Sequence, residues 1–214
     1  MHSNKIKKIT GLAIFISIVV VLQVFSNYVK FGQVSITLAL IPIVVGAIIY
    51  GPWAGFLLGA VCGICIFFGP DTVAVFWPCG IVKTLILCIL KTGIAGLCSG
   101  FIYKAFKKYK FIAVLLASIC VPIINTGIFA LGAYLFYYDL LVSFAPDGQN
   151  VATFLFIGFI GFNFIIEFFV NSVLSPIVLR LVNIFNERQN LNEQSDINQI
   201  DENVKSVNSD DLFK

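Results

Sequence analysis

A chain of 214 residues that is 59% hydrophobic and 12% charged, with a mean hydropathy of +0.97, carries more apolar surface than a soluble domain of this size needs. That composition excludes a soluble globular protein and requires an integral membrane protein, its surface covered by the lipid bilayer. The formal net charge of +3 hides a division: residues 1–186 carry 11 Lys and Arg against 4 Asp and Glu, whereas residues 187–214 carry 3 against 7. The chain therefore reads as a membrane domain over 1–186 followed by an acidic, polar tail over 187–214. That tail has no periodic apolar face and is expected to be disordered.

Six apolar segments follow in order, at 9–25, 34–50, 53–68, 81–106, 111–137 and 151–185. About 20 helical residues cross the hydrocarbon core, so the second and third segments are short and the last three long. The first resembles a signal peptide, since Lys5, Lys7 and Lys8 precede an apolar run, but no small-residue cleavage site follows it, and a retained span is expected. The predicted fold is all-α, a six-transmembrane-helix bundle.

Between the second and third segments the only break is Gly51-Pro52. Glycine accepts the dihedrals of a tight turn, and proline at the start of the next helix lacks only an N–H that would have no partner there. The small residues Gly46, Ala47, Ala54, Gly55 and Gly59 are expected to let the two helices pack closely.

Cys62, Cys65, Cys79, Cys88, Cys98 and Cys120 lie mostly inside apolar segments and read as small packing residues rather than a redox or metal set. His2, at the terminus, is no better as a ligand. The sequence holds no nucleotide-binding loop, zinc helix or nucleophile elbow. No enzymatic activity, cofactor, metal or nucleic-acid partner is expected, and any energy from ATP has to come from a partner.

Polar residues within apolar spans are the next signal, because hydrocarbon makes them costly unless they pair or line a polar cavity. Lys83 and Lys91 fall on the fourth segment, Asn125 on the fifth, and Asn163, Glu167 and Asn171 on the sixth at i, i+4, i+8, a single stripe. Lys91 and Glu167 reach similar depths and could pair, either as a structural bridge or as the floor of a ligand site. Lys83, Asn125 and Asn163 lie nearer the outer face and are candidate ligand contacts. Above them, Asn27, Tyr28, Phe31, Asp71, Phe76 and Trp77 sit at predicted outer loops, as a lidded site or as an interfacial aromatic belt. Tyr134, Tyr137 and Tyr138 fit the belt better.

The hairpin at 42–59, the small-xxx-small pair Ala13 and Ser17 with Gly11 beside it, and the stretch Gly-Ile-Ala-Gly-Leu-Cys-Ser-Gly-Phe-Ile-Tyr-Lys at 93–104 together resemble the substrate-binding components of energy-coupling-factor vitamin transporters. The likeness covers about residues 9–185. It implies six helices and an external site roofed by the first loop, with Asn27, Tyr28, Asp71, Trp77, Lys83, Asn125, Asn163 and Glu167 as candidate substrate contacts. It also implies that Gly11, Ala13 and Ser17 face a transmembrane scaffold subunit carried by two ATPases, in a plasma membrane of bacterial type. Serine in place of a second alanine departs mildly from the family's pattern. Two lysines suit a carboxylate or phosphate and the asparagines suit amide or hydroxyl groups, which fits pantothenate; folate and riboflavin stay open. A ligand-free assembly or regulatory protein is the alternative from another class. A secondary transporter is another, although no inverted repeat of broken helices supports it.

Charge orients the chain. Lys5, Lys7 and Lys8 before the first segment, Lys104, Lys107, Lys108 and Lys110 between the fourth and fifth, and Arg180 and Arg188 at the end of the sixth all fall on one side, which the positive-inside rule makes cytoplasmic. Both termini are then cytoplasmic. A thiol introduced at Asp147 should be labelled by an impermeant reagent in intact cells and one at Lys107 should not; the reverse pattern rejects the orientation.

Overall fold

The computed structural model describes residues 2–28, 30, 31, 34, 35, 37–146, 149–159 and 161–211; Asp147 lies outside them. They divide into two compact units, Met1–Leu179 and Arg180–Lys214. The first opens with helix α1 (His2–Tyr28), followed by a minimal antiparallel ladder of β1 (Lys30–Phe31) and β2 (Val34–Ser35), with Lys30 opposite Ser35 and Phe31 opposite Val34. Helices α2 (Leu40–Tyr50), α3 (Pro52–Phe67), α4 (Pro70–Val75), α5 (Ile81–Ala105), α6 (Lys110–Phe136), α7 (Tyr138–Phe144) and α8 (Val151–Thr153) follow, and α9 runs from Gly161 to Asp211. Among the described residues, four helical stretches are long and apolar enough to cross a membrane: Ile6–Tyr28, Ile81–Ala105, Lys110–Phe136 and Phe164–Phe185.

Helices α2 and α3 are apolar but short, at 11 and 16 residues. A single residue joins them. Gly51 has φ +102°, a value that side-chain-bearing residues rarely adopt, and its amide still donates to Ala47 O, closing the end of α2 while Pro52 opens α3. Nothing lies within 4 Å of where a Gly51 side chain would be, so dihedral freedom rather than space requires glycine there. Helix α2 is apolar on every side, the pattern of a helix enclosed by others. Accordingly, Leu40, Ile43, Val44, Val45 and Ala47 are all buried.

The tightest contact in the bundle runs between α3 and α5. Side chains at Gly55, Gly59 and Gly63 would strike the backbone at Gly96, Thr92 and Cys88, and one at Gly100 would strike Pro52, so the two antiparallel helices meet backbone to backbone along about three turns. Thr92 Oγ1 closes the seam by donating to Gly59 O at 2.6 Å, with Cys88 O also within reach at 2.9 Å. The sequence predicts that Gly55 and Gly59 serve the α2–α3 hairpin. Gly55 does approach Ala47 of α2 and Gly46 lies under Leu58 of α3, as expected, but the nearest neighbours of Gly59 are Thr92 and Gly93 of α5. A four-residue spacing repeats on one helical face, and that face is turned to α5.

Two segment boundaries also differ from expectation. The segment predicted at 34–50 is helical only from Leu40, because Val34 and Ser35 belong to the ladder. The segment predicted at 151–185 is interrupted: after α8, Phe154–Phe159 form a π-helical turn before α9. Gly161 fits that wider turn, since a side chain there would meet Phe156 O. In the second unit the backbone is helical through Asp211, over the tail expected to lack structure. Residues 177–214 contain neither glycine nor proline, so nothing in the sequence interrupts a helix already begun.

Gly59→Leu should lower the stability of the purified protein by about 1–3 kcal/mol or more, because the clash is with backbone that cannot turn aside. Gly127→Ala, at an exposed helical position with open space, should be neutral or stabilising. Equal effects of the two on thermal unfolding would refute the seam as the tight contact.

Candidate functional site

One end of the first unit gathers the polar residues. On α1, Gln23, Ser26 and Asn27 are spaced i, i+3, i+4 and so share a face; Gln23 and Ser26 are buried, and Asn27 is half-buried. Gln23 Nε2 donates to Asn27 Oδ1 at 3.0 Å, Asn27 Nδ2 donates to Cys65 O at 3.3 Å, and the Cys62 thiol donates to Gln23 Oε1 at 3.3 Å. Glu167, from α9, is 1% exposed and accepts the Thr37 amide on Oε1 at 3.0 Å. The neighbouring Leu38 amide donates to Ser26 Oγ at 3.2 Å. The segment entering α2 is thus fastened to α1 and α9 through backbone amides that would otherwise lack partners. Asn171, one turn along α9, is buried and donates to Glu167 O at 2.8 Å.

A second cluster joins the start of α5 to the end of α6. Lys83 Nζ donates to Phe136 O at 3.3 Å, capping the last residue of α6, and lies 5.3 Å from the centre of the Tyr137 ring. A cation at a helix C-terminus offsets the negative end of its dipole. Thr84 Oγ1 sits 2.7 Å from the Tyr137 hydroxyl and donates to Gly80 O at 2.8 Å. Phe76 meets Tyr137 and Phe129 edge-on. Tyr137, expected in an exposed aromatic belt, is 2% exposed, whereas Tyr134 and Tyr138 are exposed. Its hydroxyl has a partner in Thr84, which makes burial tolerable. Trp77 donates its indole N–H to Phe67 O at 3.2 Å and packs against Phe67, pinning the turn before α5 to the end of α3.

Deeper along α5, Lys91 Nζ sits over the Phe129 ring, 4.7 Å from its centre. Phe129 and Phe164 flank a small core of Ala130, Ala133, Leu141 and Leu155. Asn125, one turn from Phe129 on α6, is buried, and its Oδ1 has no hydrogen-bond partner among the described residues. Asn163 lies in α9, but its side chain falls outside the described residues. Asp71 is half-buried in the first turn of α4, and Tyr28 is exposed at the last residue of α1. No cluster of His, Cys, Asp or Glu among the described residues is placed to hold a metal.

The structure therefore brings together Asn27, Glu167 and the segment entering α2, and separately Lys83 and Trp77 with the start of α5. Sequence reasoning missed Gln23, Ser26, Thr37 and Thr84. The i, i+3, i+4 polar spacing on an otherwise apolar α1 was the available signal for the first two.

The three α1 residues also separate. Gly11 lies beneath Tyr50, whose hydroxyl fills the place of a side chain, so it serves the interior. Ala13 and Ser17 are exposed, with Ile14, Ile18 and Val21 nearby, and the Ser17 hydroxyl donates to Ala13 O at 3.0 Å, leaving a smooth outward face.

A bundle of apolar helices that closes around buried amides and a carboxyl group is the pattern of a membrane-embedded protein. The chain belongs to the family described as ECF transporter, substrate-specific component, whose model matches residues 7–179. Membership makes it a membrane protein and a substrate-specific component of an uptake transporter, and components of this family bind substrate rather than catalyse its conversion. None of the curated proteins matches the sequence.

Replacing Glu167 by Ala strands the Thr37 amide and should cost about 1–3 kcal/mol of stability. Glu167→Gln retains an acceptor oxygen and should cost clearly less. Matched losses in thermal unfolding would show that the Thr37 bond contributes nothing.

Proposed function

We propose that this protein captures a water-soluble vitamin or related micronutrient, with pantothenate the first candidate and folate and riboflavin the others. The observation that carries the reading is the family match over 7–179 on a chain whose apolar helices bury Gln23, Asn125, Glu167 and Asn171. Polar groups are retained within a membrane domain where they serve a ligand, a pathway or one another.

In this reading six helices cross the membrane, the α2–α3 hairpin supplying two of them, and both termini are cytoplasmic. Asn27, Tyr28, Asp71, Trp77, Lys83, Asn125, Asn163 and Glu167 form or support an outward-facing site. Ala13 and Ser17 meet the transmembrane scaffold subunit, where small side chains permit close approach. Two ATPases on that scaffold supply the energy, and the bundle reorients to deliver its ligand. The protein resides in the plasma membrane of a bacterium, and the acidic tail, 187–214, lies outside the binding domain.

Mass spectrometry of small molecules retained by the purified protein should identify such a vitamin. Ala13→Trp and Ser17→Trp should abolish uptake by the assembled transporter while leaving the affinity of the isolated protein nearly unchanged. Absence of any retained or bound small molecule would favour a ligand-free assembly protein. Loss of binding together with uptake would return the α1 face to the core.

A further inference from the structure

The candidate polar groups are not equally available to a ligand. Lys83 Nζ is engaged by Phe136 O, the Trp77 indole by Phe67 O, and both ends of the Asn27 amide by Gln23 and Cys65. Glu167 Oε1 holds the Thr37 amide. Two groups differ. Asn125 Oδ1 is buried without a donor among the described residues, on a residue 5% exposed, and an acceptor left so is costly. Lys91, ten residues into α5 and so about 15 Å along it, is half-buried, and its ammonium rests on the face of Phe129 with no hydrogen-bond acceptor among the described residues. A ring face attracts a cation but accepts none of its three N–H groups in the way an oxygen does.

The two groups belong to one stripe. The α5–α6 seam runs antiparallel through Thr84 with Tyr137, Leu87 with Gly132, and Lys91 with Phe129. Asn125 lies four residues from Phe129 and seven from Gly132, on the same face of α6, about 6 Å from the Phe129 level along the axis. We infer that Lys91 and Asn125, with the Phe129 ring between their levels, select the ligand, and that the ligand is a small organic acid bearing a hydroxyl or amide N–H within a few bonds of its anionic group. The anion completes Lys91, the donor completes Asn125 Oδ1, and the apolar edge lies on Phe129. Lys83 then serves as the cap of α6 rather than as the anion contact.

This inference rests on the uptake reading above, and calorimetry on the full chain in lipid nanodiscs separates the two. The probes are pantothenate and folate as acids, and pantothenyl alcohol and riboflavin as uncharged compounds. One of the acids should bind. Lys91→Met should weaken that acid by about 30-fold and Lys91→Arg by much less, the scale of a hydrogen bond to a charged group. Asn125→Leu should weaken the acid by about 10-fold while sparing the preference over the uncharged analogue. Where Lys91→Met does not fold, Lys91→Gln keeps a polar, uncharged side chain and carries the same expectation. Wild-type affinity in a folded Lys91→Met or Lys91→Gln protein, transfer of the loss to Lys83→Met, or binding of uncharged probes alone would each overturn the inference while leaving the uptake reading intact. No binding of any probe, with no retained molecule by mass spectrometry, overturns that reading and the inference with it.

Discussion

Helices α3 and α5 touch through their backbones, and the rest of the first unit is arranged around that contact. Lipid tails are as apolar as leucine, so burying side chains against one another yields little, and helices associate through close dispersion contact and hydrogen bonds. Gly55, Gly59 and Gly63 remove the side chains that would hold the axes apart, and the Thr92 hydroxyl crosses the seam to Gly59 O. With α3 fixed, α2 has little choice of position. A single residue links the two, and α2 is enclosed, its inner residues almost without exposure.

Onto that frame a small number of polar residues is distributed over several helices. Unsatisfied backbone amides at membrane depth are costly, and the amides of Thr37 and Leu38 precede the first turn of α2, where no helical partner exists. Glu167 and Ser26 supply the acceptors, from segments 130 and 12 residues away in sequence. The same economy governs the start of α5. Lys83 answers the last carbonyl of α6 and Thr84 answers Tyr137, so side chains that read as ligand contacts in isolation also hold helix ends together.

Much of this was legible in the sequence because hydrocarbon imposes simple demands. The long apolar runs at 81–106 and 111–137 correspond closely to α5 and α6, and Gly51-Pro52 forms the connector its chemistry implies. What escaped depended on partners distant in the chain. Nothing local reveals whether Gly59 faces α2 or α5, since the four-residue spacing is the same for either. Tyr137 looked like a belt residue because its partner, Thr84, lies 53 residues earlier. The π turn at Phe154–Phe159 left no trace in an apolar pattern whose composition suits an ordinary helix equally well. Among the candidate ligand contacts, the residue types were readable; which of them were already engaged was not.

The one-residue connection at Gly51 carries a mechanical consequence. With no slack between α2 and α3, a change in the angle between them cannot be taken up by a loop, and α2 acts as a lever about 16 Å long. A tilt of about 5° at Gly51 displaces Leu40 at the far end by about 1.4 Å. That travel matches the margin separating a hydrogen bond of 3.0 Å between Thr37 and Glu167 from none at all. Strain applied at the Gly51 end would therefore be registered as a make-or-break event at the opposite end, among the residues that border the polar interior.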